Sequence, residues 1–290
     1  MSDIVKIDKP QSVDLSKIDP ADTHKADKDS SKIAVVQLAK ELCELQEWLY
    51  AAQTHSVLIV LQGLDTSGKD GTISHVIEGL NPQGCDVASF KVPTQLEQAH
   101  DFLWRTHMQT PARGMMTIFN RSHYEDVLVT RVHKLITKEV CEDRYGQILS
   151  FEKLLADNNT IILKFFLHIS KDEQKERLLA REKDEEKAWK LSTGDWEERQ
   201  FWSDYTSAYQ DTLGATGAKT APWYVVPADH KWYRNLVVAQ TIVQTLRPYK
   251  EEWVKTLKKT GQERKQELAQ MRASEGTSKA TSDKSQSKTH

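Results

Sequence analysis

The segment Gly63-Leu64-Asp65-Thr66-Ser67-Gly68-Lys69-Asp70-Gly71 carries the residue types and spacing best suited to chemistry. It follows an uninterrupted apolar run over 57–61 and opens a stretch of helical spacing, the setting in which a glycine-rich turn offers its backbone N–H groups to phosphate. Gly63, Thr66, Ser67, Gly68, Asp70 and Gly71 would surround the phosphates, while the helix N-terminus adds partial positive charge and Lys69 reaches the terminal groups. The pattern is G-x-x-x-x-G-K, with Asp70 where a hydroxyl usually holds magnesium. A carboxylate must then share the metal work, and Asp65 suits it better than Asp70, which also reads as an acidic first-turn residue. A second polar tip, Asn120-Arg121-Ser122-His123-Tyr124-Glu125-Asp126, ends the apolar run 115–119. It falls beside the first loop if the two strands are neighbours, where a P-loop enzyme places its second metal ligand. The same tip also reads as a capping box, Ser122-x-x-Glu125, with Asp126 on the helix dipole.

The elements that must position these tips follow from short apolar runs alternating with helical spacing. Runs at 57–61, 87–92, 115–119, 161–167 and 223–226 read as strands, and 31–52, 67–78, 95–108, 122–138, 171–183 and 231–246 read as helices. Strands apolar on both faces, separated by helices, predict a parallel sheet covered on both sides, with the ligand at the strands' carboxyl ends. Residues 1–30 read as an extended surface arm. Residues 184–213 break the alternation and read as an inserted lid with its supporting helix, in which Trp189, Trp196 and Trp202, like Trp232 further on, are expected to pack in the core. The Ser-, Thr- and Lys-rich segment 273–290 offers too little apolar surface to order itself.

Composition narrows the function. With 290 residues, 38% hydrophobic and 28% charged, the chain is long enough to bury a sizeable core. Its 40 Lys+Arg against 42 Asp+Glu leave a net charge of -2, so no global field holds nucleic acid or membrane, and a polyanion site must be a local basic patch. Cys43, Cys85 and Cys141 are far apart, which indicates neither a disulfide framework nor a zinc site. No signal peptide or apolar span is recognised, so a cytoplasmic location is expected.

Together, Gly-Leu-Asp-x-x-Gly-Lys-Asp-Gly and Phe-Asn-Arg-Ser-x-Tyr-Glu-Asp resemble the two Walker-type motifs of the polyphosphate kinase 2 family. The resemblance runs on through Arg177-Leu-Leu-Ala-Arg181, Lys187-Ala-Trp189-Lys190-Leu-Ser192 and Asp229-His230-Lys231-Trp232-Tyr-Arg234-Asn235, over roughly residues 30–250. The Tyr-Glu-Asp form is similar to the branch acting on both nucleoside mono- and diphosphates; other branches carry Trp-Tyr-Asn-Arg there. Glu185 departs from the family, in which proline is common after the acid. The resemblance implies a P-loop kinase-like three-layer α/β sandwich with a five-stranded parallel sheet and a helical lid near 171–195. With the compositional reading of the two ends, the chain is expected to divide into an arm (1–30), a phosphotransferase domain (31–250), a helical extension (251–272) and a disordered tail (273–290). It implies transfer of the terminal phosphoryl group of inorganic polyphosphate to AMP or ADP, with Mg²⁺, or Mn²⁺ in its place, and a homo-oligomer, dimer or tetramer, as the assembly.

By the same resemblance Asp65 and Asp126 would anchor the metal with Asn120 assisting, Lys69 and Arg121 would hold the phosphates flanking the transferred group, and Arg181 would close over it. Asn120, Arg121 and Glu125 would face the nucleotide. Arg177, one turn before Arg181, and Arg131, in the helix leaving the second tip, would contact phosphate. Basic and acidic residues balance over 171–190, yet Lys183, Lys187 and Lys190 recur at helical spacing and could guide a phosphate chain by charge alone. The nearest rival is an ATP-dependent kinase of thymidylate-kinase type, against which Asp70 and the second tip argue. A nucleotide-binding scaffold without turnover would give the lid arginines no task.

Overall fold

The computed structural model of the chain describes residues 4–186, 189 and 192–286. In chain order the elements are β1 (Val5–Ile7), α1 (Lys28–Ala52), β2 (Ser56–Gln62), α2 (Lys69–Ile77), β3 (Cys85–Ser89), α3 (Gln95–Gln98), α4 (Trp104–His107) and β4 (Met116–Asn120). There follow α5 (Val129–Val132), α6 (Lys138–Asp157), β5 (Thr160–His168), α7 (Lys171–Lys183), α8 (Thr193–Glu198), α9 (Trp202–Ala215), β6 (Trp223–Pro227), α10 (Lys231–Leu246) and α11 (Lys250–Gln286).

Strand alternation builds the three layers. In β2, Val57, Ile59 and Leu61 join one apolar cluster with Leu42, Leu45 and Leu49 of α1, Ile73 of α2 and Val237 and Ile242 of α10. The intervening Leu58 and Val60 join the opposite cluster, with Ile148 and Phe151 of α6 and Ala208 and Leu213 of α9. A strand buried on both faces reads as an unbroken apolar run because successive side chains point to opposite sides.

The sheet has the order β1-β6-β5-β2-β4-β3. The five expected strands are parallel, and β1 adds a sixth by pairing antiparallel with β6 in the register Val5↔Val225 and Ile7↔Trp223. The expected surface arm is therefore partly core: Ile7 is fully buried and Leu15 nearly so. A lone apolar residue at each of two points gives no periodicity to read. From β2 the chain passes to β3 at one edge, and from β4 to β5 on the other side of β2, so the loops after β2 and β4 open into one crevice.

Several boundaries differ from expectation for local reasons. The helix expected over 95–108 is split into α3, held by a Thr94–Glu97 capping box, and α4, entered through an Asp101 carboxylate that accepts from Leu103 N. The helix expected over 122–138 is a 3-10 turn at His123–Asp126 followed by α5, and a new helix, α6, starts behind the Thr137 cap. Lys134, at φ 55°, breaks the run between them. Helix α11 continues to Gln286, past the point where the composition predicted loss of order, although Ser, Thr and Gly276 dominate that last stretch. No helix among the described residues is long and apolar enough to cross a membrane.

Candidate active site

The two polar tips meet as the strand order requires, since β2 and β4 are hydrogen-bonded neighbours with Leu61 opposite Asn120. Asn120 Nδ2 donates to Asp70 Oδ1 at 3.0 Å, joining the end of β4 to the first turn of α2. Arg121 lies between two acids: its Nη2 donates to Asp65, and its Nη1 to Glu125 Oε2 at 3.1 Å. Burial alone would lower its pKa, but Glu125 and Asp65 outweigh burial and hold the guanidinium above its ordinary value. Arg121 and Thr66 both adopt left-handed backbone, φ 61° and 60°, a conformation costly for side-chain-bearing residues and concentrated at functional sites.

Lys69 is buried and folds back over the turn, its Nζ donating to Gly63 O at 2.7 Å and Leu64 O at 3.2 Å. Burial first, and the neighbouring Arg121 charge second, push its pKa down to about 8 against the pull of Asp65, Glu125 and Asp70. The hydroxyls of Thr66 and Ser67 are buried with no hydrogen-bond partner. Buried polar atoms are seldom left unsatisfied, so these two oxygens mark a loop shaped for a ligand.

The crevice is a cleft of about 690 Å³ lined by Asp65, Thr66, Gly68, Lys69, Asp70, Gly71, Asn120, Arg121, Arg177 and Arg181 of the expected residues. Gly63 and Ser67 lie in the turn just behind this lining. Glu125 faces a narrow recess at the back of the loop with Tyr205 and Tyr209. Asp126 does not reach the cleft lining; its Oδ2 is buried without a hydrogen bond, 3.5 Å from Arg105 Nη2, and burial raises its pKa despite Arg105 and Arg144. Arg131 is directed elsewhere, donating to Asp211 Oδ2 at 2.6 Å and Tyr145 OH at 3.3 Å. Lys183 is exposed at the end of α7, outside the lining, and Lys187 and Lys190 lie outside the described residues.

The lid helix is tied to the phosphate loop by its first half. Gln174 donates to Asp65 O, and Arg177 spreads its donors over Thr66 O, Ser67 O, Ala228 O and Asp229 O, with Nε on Glu173. Arg177 thus braces the loop's backbone more than it waits for a ligand. Arg181 lines the cleft and donates to Asp195 Oδ2 at 2.9 Å, a carboxyl whose pKa burial and Asp65 raise.

The sequence reading missed Ser89, Phe90, Lys91, Asp184, Asp195, Lys231 and Arg234 as cleft residues. Two of them, Lys231 and Arg234, lie in the motif Asp229–Asn235. The Trp expectation is corrected: Trp189 lines the cleft at 77% exposure, and Trp196, Trp202 and Trp232 are half-buried, while Trp223 and Trp253 fill the core. Trp189 follows a run of charged residues in the lid, a composition that supplies no apolar face for it to join.

Behind the second tip stands a buried polar cluster. Lys164, at the middle of β5, donates to Glu152 Oε2 at 2.6 Å, Tyr124 OH at 2.9 Å and Thr216 O at 2.8 Å, and Tyr124 OH donates to Glu152 Oε1 at 2.7 Å. Ser122 Oγ accepts from Gln62 Nε2 at 3.0 Å. The tip carrying Arg121 and Glu125 is therefore fixed to β2, β5 and α6 through side chains inside the protein.

Among the described residues no three His, Cys, Asp or Glu side chains converge as a ready metal cage. The donor set fits a hard cation held by one or two carboxylates and completed by water and substrate oxygens, as magnesium commonly is, with Asp65 on the cleft and the unsatisfied Asp126 oxygen behind it.

Comparison with known proteins identifies the family. The family described as polyphosphate kinase 2 (PPK2) matches residues 25–253. An AMP/ADP-polyphosphate phosphotransferase of Meiothermus ruber is 51% identical over 235 residues, 80% of this chain and 88% of that protein. An ADP-polyphosphate phosphotransferase of Rhodopseudomonas palustris is 46% identical over 245 residues, 80% of this chain and 83% of the other. The crystal structure of polyphosphate kinase 2 from Arthrobacter aurescens TC1 superposes with a TM-score of 0.81 at 42% identity, covering 83% of this chain and 88% of that one. With its two loops joined at one cleft and its likeness extending over most of its length, the chain belongs to the polyphosphate kinase 2 family.

Proposed function

We propose that the protein transfers the terminal phosphoryl group of inorganic polyphosphate to AMP and ADP, giving ADP and ATP. The single observation that carries the reading is the joining of the two loops across one cleft by Asn120–Asp70 and Arg121–Asp65, beneath a wall of lid arginines. A phosphate oxygen of the acceptor attacks the terminal phosphorus, the bond to the bridging oxygen breaks, and polyphosphate leaves one unit shorter. Such transfer needs in-line alignment and neutralised oxygens more than covalent help.

Lys69 and the N–H groups of the glycine-rich turn hold the terminal phosphates. Arg121 exchanges its carboxylate partners for substrate oxygens, and Arg181 leaves Asp195 to close over the transferring group. Asn120 and Glu125 orient the acceptor's side of the second tip. A divalent cation, Mg²⁺ or Mn²⁺, would be held from the cleft by Asp65 with Asn120 beside it, Asp126 joining only by turning from Arg105, and would neutralise phosphate charge. Lys183, Lys187 and Lys190 would guide the length of the polyanion.

Incubation of the protein with AMP, Mg²⁺ and polyphosphate should yield ADP and then ATP, and a chelator should stop it. Product formation from AMP and ATP but none from polyphosphate would move the protein to the rival class of ATP-dependent nucleotide kinases. Nucleotide binding with no product from either donor would leave a scaffold.

A further inference from the structure

Residues 15–20 cross the ends of β5 and α9 as a strap. Leu15 N donates to Gln210 Oε1 at 2.9 Å, His168 Nε2 donates to Ile18 O at 3.1 Å and Asp229 N donates to Pro20 O at 3.1 Å, which ties the strap to the body along its length. Under it lies a hollow of about 530 Å³ that shares no lining residue with the cleft.

The hollow is built largely of rings. Phe166, near the end of β5, lies 4.3 Å from Tyr209 and 5.7 Å from His168 between ring centroids, and the half-buried Trp202 of α9 adds a further ring to the lining. Burial pushes the His168 pKa below its ordinary value, so that ring is neutral. The lining charges are Lys17 and Lys171 against Asp19, and Asp14 stands 3.3 Å from Lys17, so two cations meet two acids and no excess charge is offered to a phosphate. A cavity of this size, aromatic on several sides and without net charge, suits a planar molecule of two or three fused rings that is itself uncharged.

Leu64 brings the glycine-rich turn into the same lining. Its carbonyl oxygen, like that of Gly63, accepts from Lys69 Nζ. Tyr209 OH donates to Gln62 Oε1 at 3.4 Å, and Gln62 Nε2 donates to Ser122 Oγ of the second tip. A molecule packed against Leu64 and Tyr209 therefore bears on both loops without entering the cleft.

We propose that the hollow under the strap is an effector site for a small, uncharged, planar aromatic molecule, which steadies the glycine-rich turn through Leu64 when it binds.

The test uses 2-naphthol as the probe, titrated by calorimetry into wild type alone and into wild type whose cleft is filled with tripolyphosphate and AMP. Saturable binding should persist with the cleft filled. The probe should tighten tripolyphosphate binding by about threefold or more, and tripolyphosphate should tighten probe binding by the same factor, as linkage requires. The anionic 2-naphthoate should bind about tenfold more weakly, because its charge loses water and gains no cation. Thr206→Trp, which puts an indole into the hollow from α9, should weaken probe binding about tenfold or more and leave the rate of transfer without probe unchanged. Absence of saturable binding, loss of binding when the cleft is filled, or binding that Thr206→Trp leaves intact would each overturn the site. Binding with no change in tripolyphosphate affinity would remove the effector role, and tighter binding of 2-naphthoate would overturn the ligand class. Should Thr206→Trp not fold, Trp202→Ala decides in its place: weaker probe binding supports the site, and unchanged binding removes it. Probe binding is read without turnover, so a failure of transfer from polyphosphate and a failure of this site remain separate results.

Discussion

Lys69 sets the pH behaviour of the empty cleft. With its pKa at about 8, the free enzyme loses the charge that receives phosphate as pH rises through that value, so kcat/KM should fall with a limb near pH 8. Lys69→Arg, which stays protonated, should show no such limb whatever its absolute rate; a pH profile of kcat/KM with the limb intact in that variant would assign it to another group. The stability effect has the opposite direction. Between about 8 and the ordinary value of 10.5 the unfolded chain binds more protons at this lysine than the folded one, so its contribution to stability rises with pH across that window. Asp65, Lys69 and Arg121 were legible in the sequence because their neighbours along the chain create their setting. Arg234 was visible as part of a motif, but its place in the cleft was not, because its partner Ser67 is supplied by a distant turn. Asp126 and Arg131 stood at suggestive spacing, but contacts with Arg105 and Asp211 direct them away from the cleft lining.

The lid and the second tip are opposite kinds of element. Helix α7 buries only Gln174 and Leu178 and is anchored at its first half, while Arg181 in its second half donates to the Asp195 carboxylate, a polar partner that substrate oxygens can replace. Arg181→Ala should therefore fold normally and lower kcat by about a thousandfold at saturating substrates, as loss of a transition-state arginine does in phosphoryl transfer; steady-state rates with a matching melting curve check both halves of that statement. The second tip is instead held from behind by Lys164 and Glu152, both fully buried, with the Glu152 carboxyl kept below its ordinary pKa by Lys164 despite burial. Lys164→Met leaves that carboxylate without its cation and should destabilise the fold by about 3–5 kcal/mol, most of which Glu152→Gln in the same chain should restore. Urea unfolding of the two variants measures the difference. Helix α7 was legible to the residue because Ser170 caps it and charged residues fill its exposed face. The tip was misread as one long helix, since apolar spacing around Val127–Val132 hides the breaks that Lys134 and the Thr137 cap impose.

At the scale of the molecule, the parallel sheet was readable from five apolar runs, and the sixth strand was not, because three residues with one inward side chain carry no pattern. Its contribution is nonetheless large. Ile7→Ala empties a fully buried position opposite Trp223 and should cost about 2–5 kcal/mol, seen as a lower urea midpoint with an unchanged slope, while leaving the rate of phosphoryl transfer per folded molecule intact. If the midpoint does not move, the arm does not dock in solution. The same pairing also bears on the order of events during folding. Val5 meets Val225 only after nearly the whole intervening chain has found its place, and closing so long a loop is entropically slow compared with the local β2–β4 and β5–β6 steps. The indole of Trp223 sits at that joint, so its fluorescence should report a late refolding phase that arrives after the phosphate cleft is already assembled.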